Sequence, residues 1–500
     1  MLNLLTAEQT RAADLYTIQK QAIASVELME RAAEAFVPVF TKHYPEKEKT
    51  IAVYCGTGNN GGDGLAIARL LSLQGYQRIS VKIARFSAKA SDDFQINYAR
   101  LEAISFPVFE ITEPDSFPVE DAEIIIDALL GSGLNKALEG SWKQLVIWLG
   151  SLNRTVVSVD IPTGFKGEGP ITKKDIALKS DLTISFQRPK INFLLPESAS
   201  FIDSFEVADI GLDEDFIQSQ ETVYYLSIRE DITSRLAKRK PFSHKGTFGH
   251  ALIIAGASET MGAALLCAEA SLRTGSGLTT ACIPAEGLTA LNCRIPEVMA
   301  ILREEGVLPR NLNWQKYSSI AIGPGLGTAA ESKAIIEETL KYFDKPIVFD
   351  ADAINLLGKH PELLPLIPQG SILTPHLKEF DRLFGAHDSW WERLETGKLK
   401  AHELNCYIIL KNRYTIIFTP QGRSVFNSTG TPAMASGGMG DVLTGMIASF
   451  LAQGYSSESA TILGVYLHGA AGQSVGGYVV TASDLIKELP VVTEEYLTLI

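Results

Sequence analysis

The sequence predicts an α/β protein built as two domains, each a parallel sheet covered by helices on both faces. Three observations predict it. Short apolar runs alternate with helix-like segments along most of the chain, the pattern of strands buried on both faces. Five hundred residues, 46% of them hydrophobic, exceed what a single core accommodates. Between Gly211 and Lys240 the periodicity weakens and charge rises, ending in Arg235-Leu236-Ala237-Lys238-Arg239-Lys240. A boundary there separates residues 1–215 from 225–500.

Taken in order, Thr6 to about His43 reads as helix, with Leu28, Met29, Ala32, Ala33 and Phe36 recurring at three- and four-residue intervals. Ile51 to Cys55 reads as a strand that enters a Gly/Asn loop and an alanine-rich helix from about Gly62 to Leu73. Further strands are expected at Ile79 to Ala84, Ile124 to Asp127, Val156 to Val159 and Leu182 to Phe186. After the boundary the series resumes with Leu252 to Ala255, a helix over Met261 to Arg273, and a strand over Leu278 to Ile283. Strands follow at Ile320 to Ile322, Ile347 to Phe349, Ile372-Leu373 and Cys406 to Leu410. Tyr414 to Thr419 and Arg423 to Asn427 form a hairpin about Pro420-Gln421-Gly422. Helices over Gly438 to Ala452 and Ser457 to about Val475 close the domain.

A net charge of -13 argues against nucleic-acid and anionic-membrane partners, which need a basic footprint. Any anionic ligand must be held by local donors. The cysteines Cys55, Cys267, Cys282, Cys293 and Cys406 are scattered, which predicts free, buried thiols in a reducing compartment. Neither an export signal nor an apolar run of membrane-spanning length is evident, so a cytoplasmic protein is expected, and a homo-oligomer is the expected assembly.

The chemistry concentrates in glycine-rich strand ends. Ser436-Gly437-Gly438-Met439-Gly440-Asp441 opens an apolar helix, and backbone N–H groups at such a start favour an anion. A carboxylate beside a phosphate repels it unless the acid takes a proton from an attacking hydroxyl, so Asp441 is a candidate base for phosphoryl transfer. Capping of an ordinary helix is the competing reading. His244 to His250, Gly323 to Gly327 and Thr374 to Glu379, with His376, leave or enter strands on the same rim. Lys411 lies just beyond a strand and suits a nucleotide phosphate or plain solvation. Asp350 and Asp352 suit Mg²⁺ held through water, or a helix cap.

In the first domain, Gly56-Thr57-Gly58-Asn59-Asn60-Gly61-Gly62-Asp63-Gly64 occupies the place of a Rossmann-like phosphate loop. It lacks the ribose-binding acid that a dinucleotide fingerprint carries about twenty residues on. Asp127, Asp160 and Thr163 end the next two strands. Asn60, Asp127 and Thr163 offer hard oxygens suited to K⁺, and Asp160 remains a candidate proton acceptor. Taken singly, each aspartate also fits a cap or turn.

As ordered sets, these motifs resemble two families. His244 to His250, Ala255-Gly256, Met261-Gly262-Ala263, Gly323 to Gly327, Asp350 to Asp352, Thr374 to Glu379 and Ser436 to Gly445 resemble the ribokinase-like NAD(P)H-hydrate dehydratases over Tyr225 to Leu489. That resemblance implies a ribokinase-like α/β domain that restores NADH or NADPH from the hydrated cofactor. It requires Mg²⁺ and ADP or ATP, with ADP expected because fused members are typically ADP-dependent. It also implies hydrate contacts at Ala263, Gly325, His376 and Asp441, and nucleotide contacts at Lys411, Asn412, Arg413, Tyr414, Thr415 and Gly440. Gly437, Gly438, Met439 and Gly440 would form the anion hole. The stretch from Lys411 to Thr415 departs from the family in being poorer in glycine.

The N-terminal motifs, with Ser25 to Ala33, resemble the NAD(P)H-hydrate epimerases over Leu5 to Leu212. This implies hydrate binding by Asn59, Asn60, Gly61, Gly62 and Asp63, by Gly131, Ser132, Gly133, Leu134, Asn135, Lys136 and Ala137, and by Asp160. It implies K⁺ at Asn60, Asp127 and Thr163, where threonine replaces the more usual serine. The two resemblances together imply repair of both the R and S hydrates. The competing reading is a small-molecule kinase acting on a hydroxymethylpyrimidine-like alcohol, fused to a non-catalytic binding module.

Overall fold

The computed structural model describes every residue except 88, 114–116, 118, 134–136 and 305–306. Two compact units result, one of Asn3–Thr222 with Ser389–Trp391, the other of Met1–Leu2, Val223–Asp388 and Glu392–Ile500.

Strand β1 (Leu2–Asn3) precedes helices α1 (Ala7–Gln21) and α2 (Ser25–His43). The stretch from Thr6 to about His43 that reads as helical is two helices. Ala22 adopts the left-handed region at φ 52°, which ends α1, and Thr6 caps its start with a reciprocal Gln9 contact. The series continues with β2 (Ile51–Cys55), α3 (Asn59–Leu73), β3 (Ile79–Ala84), α4 (Asp92–Glu102), β4 (Val108–Ile111) and β5 (Ile124–Ala128). Then come α5 (Gly140–Ser151), β6 (Thr155–Val159), β7 (Leu182–Phe186) and β8 (Phe205–Ala208). These strands form a seven-stranded parallel sheet in the order β4-β3-β2-β5-β6-β7-β8. Its central strands bury both faces: Val53 and Cys55 of β2 join Phe36, Phe40 and Leu65, while Ala52 and Tyr54 join Ile125 and Leu145.

Between Gly211 and Lys240 the chain forms short elements, α6 (Glu214–Ser219), β9 (Tyr224–Leu226) and α7 (Arg229–Thr233). Beyond them run β10 (His250–Ile254), α8 (Met261–Thr274), β11 (Leu278–Pro284), α9 (Leu288–Arg294), β12 (Met299–Arg303) and β13 (Ser319–Ile322). Next are α10 (Ala330–Tyr342), β14 (Ile347–Phe349), α11 (Asp352–Lys359), β15 (Ile372–Leu373), α12 (Leu377–Phe384) and α13 (Trp390–Leu404). The chain ends with β16 (Tyr407–Leu410), β17 (Ile416–Phe418), β18 (Ser424–Phe426), α14 (Met439–Ala452), α15 (Ser457–Val475) and α16 (Ala482–Thr498).

The second sheet has the order β1-β9-β18-β17-β16-β15-β14-β13-β10-β11-β12. It is parallel from β12 to β16, and β16, β17 and β18 pair antiparallel, as the expected hairpin requires. One face packs Ile253, Ala281, Ala321 and Val348 against α8, α14, α15 and α16. The closing helix α16, which buries Leu485, Ile486 and Leu489, was not anticipated, nor were the short strands β4, β8, β9 and β12. Four cysteines are buried as expected. Cys293 is exposed instead, because α9 buries only Leu291.

Candidate active sites

In the N-terminal unit the strand order reverses between β2 and β5, and the loops after β2, β5 and β6 adjoin that switch point, the usual ligand position of an open α/β sheet. A cavity of about 620 Å³ opens there, lined by Asp14, Asn60, Asp63, Asp160 and Lys190 among others. Its size suits a small-molecule ligand. Helix α3 begins three residues earlier than expected, so Asn59, Asn60, Gly61 and Gly62 belong to its first turn rather than to a loop. A Cβ on Gly61 would lie 1.8 Å from the Gly56 carbonyl oxygen, so the helix can approach β2 this closely only with glycine there.

Asp127 is fully buried on β5. Its Oδ1 accepts from Thr163 Oγ1 at 2.6 Å and Leu129 N at 3.3 Å, and its Oδ2 from Thr163 N at 2.8 Å and Ser158 Oγ at 3.1 Å. Burial pushes its pKa up and these donors pull against it, leaving it raised. Asn60 is nearly buried, and its Nδ2 has no partner among the described residues. Asp160 takes a left-handed φ of 64° at the end of β6, and its Oδ1 accepts from Lys190 Nζ at 2.6 Å, Phe186 N at 3.1 Å and Ser185 Oγ at 3.2 Å. Burial and then the Asp160 charge push Asp14 up to about 6, against Lys190. Burial, followed by the charges of Asp160, Asp14 and Asp93, holds Asp63 well above the usual carboxylate range.

In the C-terminal unit the order reverses between β10 and β13. Asp350, fully buried just past β14, accepts from Lys411 Nζ at 2.7 Å and Thr374 Oγ1 at 2.7 Å on Oδ1, and from Thr444 Oγ1 at 2.8 Å on Oδ2. Burial works to raise its pKa, but the Lys411 charge and these hydrogen bonds outweigh it and the carboxyl lies below its ordinary value. Ala351 follows at φ 48° and ψ -115°, and Asp352 then starts α11 with Oδ2 accepting from Gly327 N at 2.8 Å. Such a backbone is costly for a residue with a Cβ, and strain of this kind clusters at functional sites.

Asp441 lies in the first turn of α14. Burial and then the Asp350 charge push its pKa up to about 7, against Lys411. A Cβ on Gly440 would lie 3.0 Å from Lys411 Nζ and 3.6 Å from Asp350 Oδ2, so the glycine loop and the ion pair share one corner. His376 pairs its backbone with that of Lys411, and its Nδ1 caps α12 by accepting from Lys378 N and Glu379 N. Burial and the Lys411 charge hold the His376 pKa below its ordinary value. Gly325 and Ala263 also meet: Thr260 Oγ1 donates to the Gly325 carbonyl at 2.6 Å, and a Cβ on Gly325 would lie 3.1 Å from Ala263 Cβ.

A family model described as NAD(P)H-hydrate dehydratase matches residues 251–490, and one described as YjeF-related protein N-terminus matches residues 25–192. The bifunctional NAD(P)H-hydrate repair enzyme Nnr of Moorella thermoacetica is 31% identical over 98% of this chain and 96% of its own length. The chain belongs to the bifunctional NAD(P)H-hydrate repair enzyme family. The Nnr enzyme of Escherichia coli K12 is 34% identical over 89% of this chain and 84% of its own length. Among solved structures, a ribokinase-like superfamily protein of Enterococcus faecalis matches with a TM-score of 0.52 and 31% identity, over 55% of this chain and 98% of that one.

Set against this bifunctional family, the structure gathers most residues singled out in the sequence. Gly131, Ser132 and Gly133 line the N-terminal cavity, and Ala137 lines an adjoining cavity of about 330 Å³ with Ser132 and Lys190. Leu134, Asn135 and Lys136 lie outside the described residues. Asp127 and Thr163 are in direct contact. In the expected nucleotide stretch, Asn412 Oδ1 accepts from Tyr414 N at 2.6 Å and Thr415 Oγ1 donates to the Asn412 carbonyl at 3.1 Å. Arg413 lies over the Tyr414 ring at 4.7 Å. Lys411 is held by Asp350 rather than solvated.

Sequence reading missed Asp14, Lys190 and His468, and it gave Thr374 and Thr444, which lie inside two of its motifs, no role of their own. Only Lys190 carried a usable signal, a lysine just past a strand end in Phe186-Gln187-Arg188-Pro189-Lys190.

Proposed function

We infer that this chain repairs hydrated NADH and NADPH by two reactions: epimerisation of the R and S hydrates at nicotinamide C6 in residues 1–215, and nucleotide-dependent dehydration of the S hydrate in residues 225–500. The observation that carries the reading is Asp441, a carboxyl whose pKa of about 7 suits a general base, set at the glycine-rich start of α14 beside the Asp350–Lys411 pair.

Asp441 accepts the proton of the hydrate's C6 hydroxyl as the hydroxyl oxygen attacks the terminal phosphorus of ADP or ATP. The bond from that phosphorus to its bridging oxygen breaks. The resulting phosphate ester is a good leaving group, and it departs as the ring nitrogen lone pair forms C=N. Loss of a proton from the adjacent ring carbon restores the dihydronicotinamide. The N–H groups of Gly437 to Gly440 and the Lys411 ammonium face the charge on the transferring group. His376, kept neutral near pH 7, serves as a polar contact for the hydrate.

Among the described residues no three His, Cys, Asp or Glu side chains form a metal cluster. Asp350 already accepts from three side chains, so Mg²⁺ would be held by the nucleotide phosphates and, through water, by Asp352. When bound, it neutralises phosphate charge. ADP is the preferred phosphoryl donor in this reading.

In the first site, Asp160, ion-paired to Lys190, faces the reacting end of the hydrate and exchanges protons with it. Asp63 and Asp14, whose pKa values are raised, provide nearby carboxyls that hold protons more tightly. Inversion at a hydroxyl-bearing carbon beside nitrogen needs a proton both given and taken, and this cluster supplies both. For K⁺, Asn60 and Thr163 would offer hard oxygens, which suit it better than a thiophilic metal, beside Asp127, whose carboxyl already accepts four hydrogen bonds and supplies negative charge. Cytoplasmic location and homo-oligomeric assembly belong to the same reading.

Incubation of the pure S hydrate with ADP and Mg²⁺ tests it. Release of the near-ultraviolet-absorbing reduced cofactor together with inorganic phosphate is expected, whereas accumulation of a stable phosphorylated alcohol would make the second domain a kinase.

A further inference from the structure

Helix α15 carries one histidine, His468, in an otherwise small and apolar run, Val465-Tyr466-Leu467-His468-Gly469-Ala470-Ala471. Its Nε2 lies 3.0 Å from the carbonyl oxygen of Met439, the first residue of α14. A carbonyl oxygen only accepts, so Nε2 carries the proton and Nδ1 is the bare nitrogen. Burial and then the Lys411 charge, against the Met439 hydrogen bond, push the His468 pKa down to about 4. The ring is therefore neutral across the physiological range.

The Met439 carbonyl is one half of a planar trans peptide whose other half is the Gly440 N–H, and the two point in opposite directions. Holding the carbonyl from the α15 side therefore aims the Gly440 N–H the other way, out of the helix start where unpaired donors favour an anion. Gly440 is also the glycine whose Cβ would lie 3.0 Å from Lys411 Nζ. The His468 ring thus gives the carbonyl at the start of α14 a side-chain donor at the corner where the glycine loop and the Asp350–Lys411 pair meet.

We propose that His468 is a positioning residue of the dehydratase site: its Nε2–H holds the Met439–Gly440 peptide so that the Gly440 N–H faces the transferring phosphoryl group, without contact between His468 and substrate. The proposal rests on the dehydratase reading above. A cationic ring beside Lys411 would add repulsion, so neutrality is part of the device.

The test uses the full chain with the pure S hydrate, ADP and Mg²⁺, comparing His468→Leu, His468→Gln and Asp441→Asn. His468→Leu is expected to lower dehydratase kcat by roughly 10- to 100-fold, the scale on which supporting hydrogen bonds act. The KM for ADP should move far less than kcat, and the ionisation of Asp441 should persist in the pH profile. Glutamine places an amide N–H near the position of Nε2, so His468→Gln should recover most of the lost rate. Wild-type kcat in His468→Leu would overturn the proposal, as would a lost limb in its pH profile, which would make the ring an acid or base. A glutamine variant whose thermal unfolding matches that of the wild type and which is yet no better than leucine would also overturn it. If Asp441→Asn retains full activity, the dehydratase reading itself fails, an outcome separate from any of these.

Discussion

The two candidate sites share a plan and differ in charge. Each lies at the C-terminal ends of adjacent parallel strands, β2, β5 and β6 in one sheet and β14, β15 and β16 in the other, and each has a residue other than glycine in the left-handed region there, Asp160 at φ 64° and Ala351 at φ 48°. Among the described residues lining the N-terminal cavity, four carboxyls, Asp14, Asp63, Asp93 and Asp160, outnumber the two cations Arg11 and Lys190, and Lys190 pairs with Asp160, so Asp14 and Asp63 hold protons tightly. In the C-terminal site Lys411 fully engages Asp350, which leaves Asp441 to carry the repulsion and a pKa of about 7. The difference follows the chemistry assigned to each. A reversible inversion needs carboxyls that both give and take a proton, whereas elimination through a phosphate ester needs one base beside an anion cradle.

The largest expected effect separates the sites outright. Asp441→Asn keeps the size and the hydrogen-bonding capacity of the side chain but removes the base, so dehydratase kcat should fall at least ~100-fold. Epimerase turnover, measured on the same preparation, should be unchanged. If Asp441 only capped α14, asparagine would serve as well and the rate would hold.

The converse variant, Asp127→Ala, should impair epimerisation and leave dehydration of pure S hydrate intact. It strands the buried donors of Thr163 and Ser158, which should cost roughly 1–3 kcal/mol in denaturant unfolding. Equal loss of both activities in folded protein would erase the distinction drawn between the sites.

The charge on Asp441 also has a signature in stability. Its folded pKa of about 7 exceeds the ordinary aspartate value of 3.8, so the unfolded chain releases that proton first as pH rises. The wild type should therefore lose stability relative to Asp441→Asn between about pH 4 and pH 7, and the gap should then stay level. Its size is on the order of 1–4 kcal/mol. Equal slopes for the two proteins across that range would show the carboxyl to be unperturbed.

Within the glycine loop the expected effects are smaller and position-dependent. Gly438 has φ 89°, and a Cβ there would lie 2.6 Å from Leu266 Cδ1, so Gly438→Ala should cost about 1–2 kcal/mol from the backbone alone. A Cβ on Gly437 meets nothing within 4 Å, so Gly437→Ala should change stability by less than about 0.5 kcal/mol. Thermal unfolding of the pair measures the contrast.

The parallel cores and both glycine-rich helix starts were legible in the sequence, because buried strands read as apolar runs and glycine marks close backbone approach. The edge strands β4 and β8, with one or more exposed positions, were not, nor was β9, whose three residues are too few for a period to show. Asp14 sits in α1, whose exposed Leu15 and Tyr16 blur any amphipathic pattern. His468 was hidden by the opposite condition, an apolar helix in which a histidine reads as one more buried residue. The partners of Asp350 come from three separate segments, a convergence that only the fold reveals.

The most direct measurement is recovery of reduced cofactor from an R and S hydrate mixture, with ADP and Mg²⁺, by Asp441→Asn and Asp127→Ala enzymes, separately and combined. The account predicts no recovery from Asp441→Asn, rapid recovery of only the S fraction from Asp127→Ala, and complete recovery when the two are mixed. Rapid, complete recovery by either variant alone, or no complementation by the mixture of folded proteins, would contradict two separate sites performing two successive steps.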